Sequence, residues 1–317
     1  MSDDERDGVR LTNLDQPLFD GDPATKRDLV DYLDAMSDRL VVHLRDRPLS
    51  VIRVRPGQPP FMQKNLPAYT PDWVPRATIW AEASKREISY PLANDRRTVL
   101  WLANQRAVEY HPALFRLDAP ERPAELVLDI DPPEGAPFSV AVAAARLVRQ
   151  ALAAAGLTGA VKTSGAKGLH IVVPIRDATT EQAAAATRAL AARAEQLDPA
   201  LATTAFVRDG RAGRVFIDST RAGGATVAAV YGPRLRTGLP VSFPIGWDEL
   251  DDIAPSDFTL RNAVELTSGR DPWADALPAE QLLSAELIEA GRSIPVARVQ
   301  AMHEGRRRAR KSPPPAD

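Results

Sequence analysis

The segment LVLDIDPPEG, Leu126 to Gly135, carries two carboxylates one residue apart at the end of an apolar run. In a strand, side chains two residues apart share a face, so Asp129 and Asp131 would stand side by side with about 7 Å between their Cα atoms. That span suits a pair of divalent cations about 3.5–4 Å apart, held between convergent carboxylates. Leu126, Val127, Leu128 and Ile130 mark the strand as buried, where two uncompensated anions would be costly. Bound cations would relieve that cost. Equally open from this segment alone is a strand end that turns outward at Pro132-Pro133 and leaves both aspartates in water. Two-metal sites usually need one more ligand, and Asp218, closing the apolar run in GRVFIDST, is the best candidate, although aspartate also ends strands simply as a turn former.

A second segment, VKTSGAKGLHIVVPI (Val161 to Ile175), sets two glycines around a lysine between two apolar runs. Such a turn lets backbone approach a phosphate, while Ser164 and Lys167 can donate charge-assisted hydrogen bonds. His170, on the following strand, can meet a phosphate or support a metal ligand. This is not a Walker phosphate loop, because no GK[ST] opens a helix, and a plain hairpin turn is the simpler alternative. Arg211, Arg214, Arg221, Arg234 and Arg236 flank Asp218 in sequence. Each taken separately is an ordinary surface residue, but a nucleoside triphosphate carries about four negative charges, and converging arginines would meet them.

The elements that must position these residues follow from periodicity. Thr25 caps a helix predicted to reach about Arg47, with Leu29, Leu33, Met36, Leu40 and Leu44 on one face. Prolines from Pro56 to Pro75 predict a long loop, and a second helix spans Arg96 to Val108. The pattern then alternates: a strand ending at Asp131, a helix over Ser139–Ala155, and strands at Ala160–Thr163 and Leu169–Ile175. The capping box Thr179-x-x-Gln182 opens a helix to about Leu197. Strands follow at Arg214–Asp218 and Ala225–Tyr231, with short helices at Trp247–Leu250 and Leu277–Ala290. This is an α+β or α/β sheet domain. The expected division is one domain over 1–300, comprising an N-terminal part to 120, a catalytic sheet over 121–260 and C-terminal helices. A basic, proline-rich tail over 301–317 is predicted to be disordered.

Composition limits the chemistry. The 317 residues are 44% hydrophobic and include no cysteine, so disulfides, thiolate metal sites and cysteine nucleophiles are excluded and any metal must be held by oxygen or imidazole. Forty Lys plus Arg against 42 Asp plus Glu give a formal charge of −2, so positive charge for a nucleic acid has to be local. With no secretory pattern and no long apolar run, the expected place is the cytoplasm.

Together these blocks resemble the polymerase domain of bacterial ATP-dependent DNA ligase D, a branch of the archaeo-eukaryotic primase superfamily. The resemblance runs from VRLTNLD at Val9 through TKRDLVDYL, HLRDRPLSVIR, FMQKN and VLWLANQRAVEYH to LVLDIDP, KTSGAKGLHIVVP, GRVFIDSTR and YGPRLRTGLPVSFPIGWDEL. It implies a primase-polymerase fold, in which a central mixed sheet is flanked by helices beside an N-terminal α/β subdomain. It also implies a two-metal polymerase that uses manganese or magnesium, fills gaps and extends ends in non-homologous end joining, and often prefers ribonucleotides. Asp129, Asp131 and Asp218 would be the metal triad. Ser164, Lys167 and His170 would hold the incoming triphosphate, helped by Arg211, Arg234 and Arg236. His111 would lie near the nucleotide and Phe61 near the templating base. Lys64 and Lys26 would contact DNA, Lys26 beside a downstream 5′-phosphate with Asn13.

Three departures stand out. Gln16 replaces the family's usual lysine after NLD, Met62 replaces the second of two aromatic residues before QK, and the asparagine after the third aspartate is replaced near Ala222. No KxDG ligase motif follows, so the expectation is a monomeric stand-alone relative that depends on a separate ligase and a Ku-like partner. De novo primer synthesis, a catalytically silent DNA-end-binding module and a small-molecule phosphotransferase are the alternatives.

Overall fold

The computed structural model describes residues 4–81, 85–223 and 226–296; the predicted tail over 301–317 lies outside them. A hairpin of β1 (Asp4–Arg6) and β2 (Val9–Leu11) precedes α1 (Lys26–Ala35) and α2 (Ser37–Leu44). Thr25 caps α1 reciprocally with Asp28. The single helix expected from Thr25 to Arg47 is broken at Met36, where the Ser37 hydroxyl donates to the Asp34 carbonyl at 2.8 Å and a new helix opens. Leu29, Leu33, Met36, Leu40 and Leu44 are nonetheless fully buried, so one apolar face runs through the break.

Next come β3 (Leu49–Arg55), β4 (Gln58–Gln63), the hairpin β5 (Arg76–Ala81) and β6 (Arg86–Pro91), α3 (Arg96–Asn104) and β7 (Ala107–Pro112). Part of the stretch predicted as loop over Pro56–Pro75 is therefore strand β4. It sits at the edge of a sheet ordered β4-β3-β7, where Pro59 and Pro60 can lack their N–H without leaving an acceptor orphaned. The helix predicted to Val108 stops at Asn104. Arg106 adopts a left-handed φ of 59°, and the chain turns into β7 to pair with β3.

The larger sheet is built from β8 (Glu125–Asp131), β9 (Ala160–Thr163), β10 (Leu169–Pro174), β11 (Ala202–Thr203), β12 (Val215–Asp218) and β13 (Pro244–Ile245). Its order is β11-β12-β8-β10-β9-β13. β11 runs parallel to β12 and the other neighbours are antiparallel, which makes the sheet mixed. Helices α4 (Phe138–Ala154) and α5 (Thr180–Leu197) pack on it, and α5 opens with the capping box foreseen at Thr179 and Gln182. Short helices α6 (Ala263–Leu266), α7 (Pro272–Ala276) and α8 (Ala285–Arg292) close the described chain, α8 lying on α5. The architecture is α+β, as expected.

Three further expectations need correction. The segment 226–231 is not a strand: the Ala229 amide bonds Tyr110 and the Tyr231 amide bonds Ser242, so its donors go to different partners and no ladder forms. The helix predicted at Trp247–Leu250 is a turn closed by Glu249 on Gly246. The one predicted at Leu277–Ala290 cannot pass Pro278, which biases Leu277 away from helical geometry; α8 begins instead after the Ser284 cap. Among the described residues no helix is long and apolar enough to cross a membrane.

Candidate active site

Residues directly opposite on neighbouring strands share a face, so register places the chemistry. Asp218 on β12 is opposite Asp129 on β8, Asp129 is opposite His170 on β10, and His170 is opposite Lys162 on β9. Four ionisable residues thus form one line across the sheet, and Asp131 joins their face two positions along β8. The alternate residues Leu128, Ile130, Ile171 and Ile217 are fully buried on the side covered by helices.

The aspartates are held by cations of the chain itself. Arg221 Nη2 lies 3.0 Å from Asp129 Oδ2 and 3.3 Å from Asp218 Oδ2. Asp131 meets Lys167 at 3.2 Å and Arg211 at 3.4 Å. The amide and hydroxyl of Thr220 donate to Asp218 Oδ1 at 2.8 and 2.7 Å. Burial raises the Asp129 carboxyl above its ordinary value; Arg221 opposes the rise, while the charges of Asp218 and Asp131 add to it. Arg211 is fixed by the Ala205 and Phe206 carbonyls and by stacking over Phe216, 3.7 Å from the ring centre.

In donor type, though not in spacing, the residues suit divalent cations. Three carboxylates on one face are hard oxygen donors of the kind magnesium and manganese take. Arg221 satisfies two of them through a single nitrogen and leaves its own buried Nε without a hydrogen-bond partner among the described residues. Among those residues no three acidic or imidazole side chains close tightly enough to enclose an ion; Asp131 is instead engaged by Lys167 and Arg211.

The turn after β9 is closed by its own polar groups. The Ser164 amide donates to the Gly168 carbonyl at 2.9 Å, and Ser164 Oγ accepts from the amides of Ala166 and Gly168, each at 3.2 Å. This leaves the hydroxyl proton of Ser164 to donate to a ligand. Gly165 takes a φ of 66°, and its missing side chain leaves room for the Arg234 stem. Arg234 Nη1 donates to the Ser164 carbonyl at 2.5 Å and its Nε stands 3.0 Å from Glu109 Oε2. Glu109 also receives His111 Nε2 at 2.9 Å and the Leu235 amide at 2.9 Å. Arg234 thus bonds the turn directly, and His111 is linked to it through the carboxylate the two share, which ties β7 to the larger sheet.

Glu109 escaped the sequence reasoning, although a lone acid in the apolar run AVEYHP was its signal. Burial alone would raise its carboxyl; the His111 contact, Arg234 and the Leu235 amide outweigh that and bring it down to about 2. The folded protein thus binds this proton less readily than the unfolded chain. The resulting stability is present above the unfolded pKa and lost as pH falls toward 2. Glu109→Gln takes the carboxylate away from the half-buried Arg234 and is expected to cost about 1–3 kcal/mol in urea unfolding at pH 7; a midpoint unchanged from wild type would contradict that role.

The other expected site residues lie on separate elements. Arg236 is exposed in the turn beyond Arg234. Phe61 sits on edge strand β4 beneath the Arg55 guanidinium, 4.6 Å from the ring centre, and Lys64 is exposed just after that strand. Asn13 is exposed with a φ of 55°. Lys26, expected at a DNA phosphate, is only 2% exposed and donates to the Thr12 carbonyl at 2.5 Å and Asn104 Oδ1 at 2.6 Å. Burial and the nearby Arg106 lower its ammonium to about 8. Arg106 in turn donates to Gln16 Oε1 at 2.8 Å, so the position that lost a cation is held by another.

The fold that carries this acidic line has a solved counterpart. The structure matches the polymerase domain from Mycobacterium tuberculosis Ligase D in complex with DNA, at a TM-score of 0.75 and 31% identity, over 90% of this chain and 99% of that one. The chain thus falls in a class of nucleotidyltransferase-type domains. Residues 25–273 match the family model described as LigD, primase-polymerase domain, and the chain belongs to that family. It is 35% identical over 258 residues to the multifunctional non-homologous end joining DNA repair protein LigD of M. tuberculosis, covering 78% of this chain and 34% of that protein. It is 32% identical to the bifunctional LigD of Bacillus subtilis, covering 81% of this chain and 42% of that protein. The chain therefore spans about a third to two fifths of the length of these relatives.

Proposed function

We propose that this chain is a template-dependent nucleotidyltransferase that extends primers and fills gaps with nucleoside triphosphates during non-homologous end joining. The observation that carries this reading is the line Asp218–Asp129–His170, with Asp131 on the same face and the glycine turn at Ser164–Gly168 beside it. Asp129, Asp131 and Asp218 would hold two divalent ions, manganese or magnesium. Such ions, when bound, lower the pKa of an attacking 3′-hydroxyl and offset the charge of a leaving pyrophosphate. Ser164, Lys167 and Arg211 supply donors to a triphosphate, and Arg234 braces the turn that presents them. DNA ends are the other substrate; an end-binding protein of the Ku kind and a DNA ligase are the partners that end joining requires.

The test is extension of primed, gapped 5′-phosphorylated and unprimed DNA with ribo- and deoxyribonucleotides, each with manganese or magnesium. Template-directed addition to a primer is expected, and no incorporation on any DNA would overturn the proposal. Dinucleotides formed on unprimed template would favour a primase, and triphosphate turnover without nucleic acid a small-molecule phosphotransferase.

Arg221 is a built-in competitor for the ions. Arg221→Gln removes its charge from between Asp129 and Asp218 and is expected to tighten manganese binding about tenfold, equivalent to about 1.4 kcal/mol of relieved competition. Titration of the protein with manganese, read by the loss of free-ion paramagnetic signal, measures this; weaker binding in the variant would make Arg221 an ally of the ions instead.

A further inference from the structure

Lys162 is a charged side chain in the floor of the sheet, 3% exposed. Its Nζ has three neighbours: the Ala228 carbonyl at 3.0 Å, Ser242 Oγ at 2.6 Å and His170 Nδ1 at 2.7 Å. The sense of each bond can be worked out. Ala228 offers only a carbonyl, so Lys162 donates there. The Ser242 hydroxyl donates its own proton to the Thr163 carbonyl at 2.6 Å, so its oxygen accepts from Lys162. Two N–H groups are thereby committed. An ammonium has one more, which goes to His170 Nδ1; a neutral amine would have only a lone pair left, and the ring would have to donate instead.

The other side of the ring decides between these. His170 Nε2 faces Asp129 Oδ1 at 3.6 Å. An unprotonated Nε2 would set a lone pair against a carboxylate, whereas an Nε2–H sets a positive edge against it. Nδ1, accepting from the Lys162 ammonium, carries no proton, so the ring's one proton sits on Nε2.

We infer that Lys162 is a positioning residue: it locks His170 in the tautomer whose Nε2–H points to the Asp129 side of the ring, so that the ring meets substrate phosphate as a hydrogen-bond donor. Burial and then Arg234 lower the Lys162 ammonium to about 7, while Asp129 and Glu125 favour its charge. Ser242 acts with Lys162, because its committed hydroxyl leaves the ammonium no other arrangement. The part of this inference that concerns phosphate rests on the proposed nucleotidyl transfer; the part that concerns the tautomer does not.

Two measurements separate them. In the full chain carrying 15N-histidine, long-range 15N–1H correlation at pH 6.5 is expected to show His170 with Nε2 protonated and Nδ1 bare. Nδ1 protonated in the native protein would overturn the inference without any variant. Lys162→Met keeps the length and removes the donor; the Nδ1-protonated form is expected to appear, and an unchanged tautomer would equally overturn the role. In primer extension the same variant is expected to raise the KM for the nucleotide about 10- to 100-fold, with kcat changed less, the loss typical of removing a partner that orients a functional histidine. An unchanged KM together with a changed tautomer would restrict Lys162 to setting the ring and overturn its part in substrate binding. If wild type incorporates nothing, the polymerase reading fails, and the tautomer measurement still decides the role of Lys162.

Discussion

Asp129→Asn is expected to lower nucleotide incorporation by at least about 1000-fold, the scale of losing a central charge-stabilising group, while leaving the folded state at least as stable. The two effects have one cause. Asp129 lies between Asp218 and His170, with Asp131 two positions along the same strand. Burial together with these acidic neighbours makes its ionised form costly, and Arg221 offsets only part of that cost. Asparagine keeps the shape and removes the charge. The fold then loses a costly buried anion, and the site loses the carboxylate that stands between Asp218 and Asp131. Primer extension and thermal unfolding on the same preparation check this. A variant that retains activity, or loses activity only because it unfolds, would remove Asp129 from the centre of the chemistry.

How much of this was visible in the chain depends on whether the signal was local. Asp129 and Asp131 could be read because period-two alternation within an apolar run fixes a shared face without knowledge of any partner. The capping box at Thr179 and Gln182 is likewise contained in four residues. Lys162 and Glu109 were missed for the opposite reason. Each is a single charge in a short apolar strand, and its meaning comes from residues far along the chain: Ser242 and Ala228 for the lysine, Arg234 and Leu235 for the glutamate. Lys26 was expected at a DNA phosphate from the family resemblance alone; the fold sets its ammonium against Asn104, a residue of α3 that no local pattern links to it. The break at Met36 was hidden because the apolar face stays in phase across it. The segment over 226–231 looked like a strand because burial alone selects the same residues, wherever their amides find acceptors.

Gly168→Ala is expected to destabilise the protein by more than about 3 kcal/mol, in the range reserved for strain or collision in a packed region, and to abolish incorporation with it. A Cβ at this position collides with the carbonyl oxygen of Ile130, and Pro132 stands 3.3 Å away on the same side. Ile130 lies between the two aspartates of β8 and pairs with Leu169 at the start of β10. Relief of the clash therefore has to move backbone, either parting β8 from β10 where Asp129 faces His170 or opening the turn that Gly168 closes on Ser164. No side-chain rotation can absorb it. Gly135, at the end of the same LVLDIDPPEG segment, is the control. It has a φ of 75° but nothing within 4 Å of an added Cβ, so Gly135→Ala carries only the left-handed backbone cost of about 1–2 kcal/mol. Urea unfolding of the two variants separates collision from conformational preference. Equal destabilisation would mean that β8 and β10 are not pressed together at Gly168, and the alignment of Asp129 with His170 would lose its mechanical basis.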